Sequence, residues 1–225
     1  MEKTSIRQDE FLFKRPEYEG SLSRGSNIAL AMGALASRLT QEERTRTYHP
    51  DGRRENVAEH SYMLAKVALA IRDELFPGLD RGKIAIYSLD HDDVEGWVGD
   101  TPTDVIANHD PYTKKEREAA GVKQLAREYM GLTSAYVEDV LAYERQDELE
   151  AQFVRIIDKF MVLLIHIPNQ GESLRRHYTY EQYLESTRST EQMLLEQYPH
   201  WIELIAMRTE LAHYVGHKYL RDRSA

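Results

Sequence analysis

The stretch Val57–Phe76, VAEHSYMLAKVALAIRDELF, decides how the chain folds. Val57, His60, Leu64, Val67, Ala68, Ile71 and Leu75 recur at spacings of three and four and share one face of a helix. Pro77-Gly78 stops it. Beyond the stop, Ile84–Leu89 is a short apolar segment running into HDDVE, and GWVGDTP reads as a turn or loop. Charged helices are expected over Lys114–Met130 and Ser134–Glu148. The most apolar stretch, Phe153–Ile167, closes at Pro168-Asn169 and Gly171. Two more helices, Tyr180–Gln197 and Trp201–Leu220, are separated by Pro199, and upstream Asn27–Leu39 also reads as helical. Alternating strand patterns, internal repeats and Gly-rich phosphate loops are absent from the sequence. The expected fold class is all-α, a helical bundle. Its expected parts are an irregular arm over 1–25, a helical unit over 26–168, and C-terminal helices over 169–225 packed on that unit.

The 225 residues are 41% hydrophobic and 30% charged, a globular rather than disordered composition. No apolar run approaches the roughly 20 residues of a membrane span, and residues 1–30 are too charged for the apolar core of a secretory signal. Zero cysteines exclude disulfides, a thiolate zinc site and a thiol nucleophile. A cytoplasmic protein is the expectation. The formal charge of −9 disfavours a nucleic acid polymer, whose binding needs many Lys/Arg–phosphate contacts. A small anionic substrate remains compatible if a metal and a few arginines reverse the field in a pocket.

Three places put ionisable groups where helical packing calls for apolar ones. His60 shares its face with Leu64, Val67 and Ile71. A lone histidine there is more often a satisfied core residue than a ligand. His91-Asp92, followed by Asp93 and Glu95, ends an apolar helix, and adjacent side chains reach one point only if they converge on an object between helices. Asp158 lies among Val154, Met161, Val162 and Ile165, where an ionised carboxylate costs several kcal/mol unless it is paired or binds a cation. Its bland alternative is a salt bridge to an arginine on another helix. Lys159, adjacent in sequence, is expected to point elsewhere and so to be a poor partner for Asp158. Together, two imidazoles and two carboxylates from three segments form a mixed N/O site suited to one divalent transition metal, Co, Mn, Zn, Fe or Ni. Arg44, Arg46, Arg53 and Arg54 cluster upstream of His60 and are candidates for an electropositive rim, Arg46 first among them. Lys159 is a candidate for facing a phosphate, alongside a surface or ion-pair role. His213 and His217, four apart, lack an accompanying aspartate pattern.

The order His60, His91-Asp92, Asp158 resembles the H…HD…D signature of the HD superfamily of metal-dependent phosphohydrolases, with 31 residues from His60 to His91 and 66 from Asp92 to Asp158. The likeness covers residues 27–168. Within the superfamily the chain is most similar to bacterial HD-type 5′-deoxynucleotidases and their eukaryotic relatives. Those carry HDxxE, then Gly-Asp, then Pro-Thr; here these are His91–Glu95, Gly99-Asp100 and Pro102-Thr103. The resemblance implies an HD-domain bundle over that span, Glu95 and Asp100 as catalytic carboxylates, and Thr103 near the substrate, while the break at Pro168–Gly171 marks the C-terminal helices as an extension of it. Arg46 occupies about the place of a family arginine, but Thr47-Tyr48 follow it where the family has a tryptophan. Asp104 and Ile106 stand where the family has Pro and Lys.

The implied activity is hydrolysis of deoxynucleoside 5′-monophosphates. A triphosphohydrolase acting on deoxynucleoside triphosphates uses the same four ligands and is the alternative. A non-catalytic, metal-stabilised helical module is the alternative of another class, against which the retained Glu95 and Asp100 argue. Arg46, Arg54, Thr103 and Lys159 are the candidate substrate contacts. The expected partner is a small nucleotide, with no membrane and with self-association into a homo-oligomer.

Overall fold

Several helix starts in this chain coincide with side chains that accept backbone N–H groups. Asp80 accepts from Lys83 N–H at 3.0 Å, and Thr179 and Gln182 form a reciprocal capping box. The computed structural model describes residues 22–98 and 111–221. Their order is α1 (Arg24–Leu39), strands β1 (Glu43–Tyr48) and β2 (Arg54–Asn56), α2 (Val57–Leu75), α3 (Arg81–Asp90) and the single turn α4 (Glu95–Val98). Then follow α5 (Pro111–Tyr129), α6 (Ser134–Arg145), α7 (Leu149–Leu164), α8 (Glu172–His177), α9 (Tyr180–Gln197) and α10 (Ile202–Gly216). His217–Arg221 extends α10 as a π-helical turn. No described helix is long and apolar enough to cross a membrane.

The expected all-α class holds, with one addition. β1 and β2 form an antiparallel hairpin that hydrophobic alternation does not announce, because ERTRTY and REN contain almost no apolar residues. Its turn is made by Gly52 at φ 84°, where only glycine is unstrained, and by the bond from His49 N–H to Arg53 O at 2.8 Å. Several boundaries also move. Of the expected arm, residues 1–21 lie outside the described residues, and α1 already begins at Arg24. α6 ends at Arg145 because Gln146 adopts the left-handed conformation at φ 56°. α7 starts at Leu149 and stops at Leu164, and α8 follows Gly171, where φ is 71° and an added Cβ would collide with Tyr219.

The main core joins α2, α3 and α7 to the C-terminal helices. Leu64, Ile84, Phe153, Ile156 and Ile157 pack with Leu194, Trp201, Leu204 and Ile205 in one buried cluster. α7 is the centre: eight apolar residues and Asp158 are buried along it. At about 2 kcal/mol for each large apolar side chain, that burial exceeds the several kcal/mol needed to carry one carboxylate inside. A second cluster joins α1, α5 and α6 around Val57 and Val94.

Where α7 turns into α8, buried His166 hydrogen-bonds Ser173 Oγ at 3.0 Å, and Asn169 donates to Tyr48 O at 2.7 Å, tying the bend to the hairpin. Burial, with a contribution from His177, lowers the His166 pKa to about 4. The unfolded imidazole at about 6.5 binds protons first, so its contribution to stability is complete above that pH and is lost as pH falls toward 4. Urea titrations at pH 7 and pH 5 should therefore show wild type losing about 2 kcal/mol more than His166→Asn; equal losses in the two proteins would exclude a neutral buried His166.

Candidate metal centre

The start of α2 places His60. Asn56 accepts from Glu59 N–H at 2.9 Å, and Glu59 accepts from Asn56 N–H at 3.1 Å. This reciprocal cap fixes the first helical turn, and the next residue, His60, points inward with 1% of its surface exposed. His91 and Asp92 follow the end of α3. There the backbone tightens, with Asp93 N–H donating to Asp90 O at 3.2 Å and Glu95 N–H to Asp92 O at 2.9 Å. Leaving α-helical geometry lets the two adjacent side chains converge. Asp93 belongs elsewhere: it is buried and accepts from the Tyr136 hydroxyl at 2.7 Å, and burial together with Asp90 pushes its carboxyl well up. Asp158 enters from the middle of α7.

The groups meet. His60 Nε2 lies 3.0 Å from Asp158 Oδ1, and one donor atom each from His60, His91 and Asp158 falls within 4.8 Å of the others. Asp92 Oδ2 stands 3.1 Å from His91 Nε2 and 3.8 Å from His60 Nε2. The imidazole planes are oriented from behind. His91 Nδ1 donates to Ser88 O at 3.1 Å; a carbonyl can only accept, so this contact fixes the ring with Nε2 turned toward the cluster. His60 Nδ1 faces Glu55 Oε2 at 3.7 Å. Backing by a carbonyl and by a carboxylate is the usual support of metal-binding histidines. Buried His91 Nε2 makes no hydrogen bond. Imidazole nitrogens beside the buried carboxylate of Asp158 and the half-buried one of Asp92 fit a divalent cation, and nitrogen with oxygen donors suits a transition ion.

Charge around the cluster is compensated in layers. Burial would raise the Asp92 pKa, but His91 and Arg44 hold it well below the ordinary carboxylate range. Asp158 is likewise held low against burial, by Lys159 and His60. For His60, burial and Arg44 pull the pKa down while hydrogen bonds to Asp158 and Glu55 push it up, leaving it at about 9.

The candidate contacts separate in space. Lys159 does not point away from Asp158 as expected: its Nζ donates to Asp158 Oδ2 at 2.7 Å. Adjacent Cα positions diverge on a helix, but the four-carbon lysine stem bends back. Arg54 is not brought to the cluster; it is exposed and faces Glu43 at 3.5 Å across the hairpin. Arg46 lies in β1. Asp100 and Thr103 fall outside the described residues. Glu95 opens α4 after the non-helical turn, its Oε2 3.7 Å from Arg44 Nη1. Among the described side chains Arg44 reaches the centre, 2.6 Å from Asp92 Oδ2 and 3.6 Å from Glu55 Oε2. Glu55, 1% exposed, was not singled out from sequence. Its signal lay in β2, where exposed Arg54 precedes buried Glu55.

Comparison with known proteins places this geometry. The HD domain family model matches residues 36–198. The 5′-deoxynucleotidase YGK1 of Saccharomyces cerevisiae is 33% identical over 118 residues, 49% of this chain and 51% of that protein. The human 5′-deoxynucleotidase HDDC2 is 30% identical over 142 residues, 62% of this chain and 67% of that protein. The chain thus spans about half the length of the yeast relative and two thirds of the human one. A crystal structure described as a predicted metal-dependent phosphohydrolase from Magnetospirillum magnetotacticum MS-1 superposes with TM-score 0.66 at 26% identity, over 88% of this chain and 96% of that one.

Because His60 Nε2 shares its proton with Asp158 when no metal is bound, a cation must displace that proton. With a pKa of about 9, Mn²⁺ uptake at pH 7 should release about one proton per site, and apparent affinity should rise about tenfold per pH unit up to pH 9. Calorimetry in buffers of different ionisation heat reads the release; pH-independent binding without release would refute His60 as a ligand.

Proposed function

The chain belongs to the HD domain family, and on that premise we propose that it hydrolyses deoxynucleoside 5′-monophosphates to deoxynucleoside and phosphate in a divalent-metal-dependent reaction. The observation that carries this reading is the convergence of His60, His91 and Asp158 in a buried cluster. Support comes from similarity to relatives named 5′-deoxynucleotidase and from a fold shared with a protein described as a predicted metal-dependent phosphohydrolase. The net charge of −9 favours a small nucleotide over a nucleic acid polymer.

His60, His91, Asp92 and Asp158 would hold the ion. When bound, it supplies neutralisation of phosphate charge and a water of lowered pKa. Glu95 is the group we assign to taking a proton from the attacking water. Its carboxylate is positioned by Arg44, which also grips Asp92, so acid–base group and ligand are held by one rigid guanidinium. Lys159 offsets the charge of Asp158. Asp100 is assigned to protonating the departing 5′ oxygen, and Thr103 to a substrate contact, both by likeness to the family. Arg46 is assigned to the phosphate rim. The phosphorus gains a bond to the water oxygen and loses its bond to the 5′ oxygen; one proton leaves the water and one reaches the alkoxide.

Glu95→Ala should lower phosphate release from deoxynucleoside monophosphates at least about a hundredfold, with Mn²⁺ content and thermal melting unchanged. Phosphate release at the wild-type rate would remove Glu95 from the mechanism. Release of triphosphate from deoxynucleoside triphosphates, in place of phosphate from monophosphates, would replace the proposed substrate.

A further inference from the structure

Cations near the centre are mostly committed to carboxylates. Arg44 is bound to Asp92, Glu55 and Glu95, Lys159 to Asp158, Arg53 to Glu59 and Arg54 to Glu43. Arg155 differs. It stands three residues before Asp158 and four before Lys159, on the same face of α7. Its guanidinium lies over the Tyr143 ring, 4.8 Å from the centroid. Tyr143 in turn meets His91 edge-on, with ring centroids 6.0 Å apart. Only one aromatic ring therefore separates this charge from the imidazole of a metal-binding histidine. Among the described residues Arg155 makes no hydrogen bond and no ion pair. The carboxylates acting on it are those of Glu144 and Asp158. Beside it the fully buried Tyr143 hydroxyl also makes no hydrogen bond.

We propose that Arg155 is a substrate-binding residue whose guanidinium fork takes non-bridging phosphate oxygens of the nucleotide. This rests on the hydrolase reading and names a residue that neither the sequence motifs nor the four metal-binding positions assign. The chemistry is specific. A part-buried guanidinium held by stacking, with all its N–H donors unspent, is pre-organised for a planar pair of anionic oxygens. The cation–π contact with Tyr143 holds the guanidinium in place without consuming a donor. Carboxylates already pair with Arg44, Lys159, Arg53 and Arg54, so an incoming phosphate would have to displace them there; at Arg155 no carboxylate among the described residues occupies the fork.

The test is calorimetric titration of inorganic phosphate into the Mn²⁺-loaded full chain. Loss of a charge-assisted pair predicts phosphate affinity at least about tenfold weaker in Arg155→Gln. Arg155→Lys keeps charge and stacking but not the fork, and should fall between the two. Mn²⁺ affinity should stay within about twofold of wild type in both variants, and the KM for a deoxynucleoside monophosphate should rise more than kcat falls. Phosphate affinity unchanged in Arg155→Gln overturns the proposal, as does a loss that merely follows lost Mn²⁺ binding or an absence of phosphate binding in wild type. Should Arg155→Gln melt early, Arg155→Lys decides alone: wild-type phosphate affinity there overturns the assignment. A wild type that binds phosphate through Arg155 yet hydrolyses no deoxynucleoside monophosphate would leave Arg155 in place and remove the hydrolase reading.

Discussion

Two carboxylates and two imidazoles brought within a few ångströms of one another, largely shielded from water, cannot remain without counter-charge. His60, His91, Asp92 and Asp158 are held in that condition, and much of the surrounding structure answers it. Arg44 covers Asp92, Lys159 covers Asp158, and the 3.0 Å contact between His60 Nε2 and Asp158 Oδ1 supplies the remaining link. Each of these compensations is a hydrogen bond or ion pair of ordinary length. A divalent cation would take over part of that compensation, which is why proton and metal compete for the same nitrogen.

The helices that carry the site are those that can bear its cost. α7 buries more apolar side chains than any other described helix and also holds Asp158. α2 begins in a reciprocal cap that leaves His60 little freedom, and the turn after α3 departs from helical geometry at the two residues that must converge. The hairpin between α1 and α2 brings Arg44 to Asp92, 48 residues further along the chain. Its far end is tied by Asn169 to the bend after α7. Strand, bend and helix thus hold the centre from three sides, while α9 and α10 close the core behind α7.

A family resemblance accounts for the order of the clustered histidines and aspartates more readily than it accounts for the cations. The order of histidines and aspartates is legible as a signature, whereas arginines and lysines act through long stems whose end points depend on what they meet. Lys159 folds back on its neighbour, Arg54 turns to the surface and Arg44 reaches inward from a strand. Arg155, stacked on an aromatic ring beside His91, is invisible to spacing rules because its partner Tyr143 belongs to another helix.

Sequence alone determined the helical class, most helix positions, and the inward placement of His60 and Asp158, because apolar periodicity and short rigid side chains leave few places to go. His60 had to face the interior with Leu64, and Asp158 with Val154 and Met161. The hairpin was not legible, since polar strands held by backbone hydrogen bonds carry no alternating pattern. Nor was the helix end at Gln146, where a left-handed residue other than glycine stops α6. Tertiary structure decided which cation pairs with which carboxylate. Such pairing is a property of distance between elements far apart in sequence, and flexible side chains settle it only after the backbone has brought those elements together.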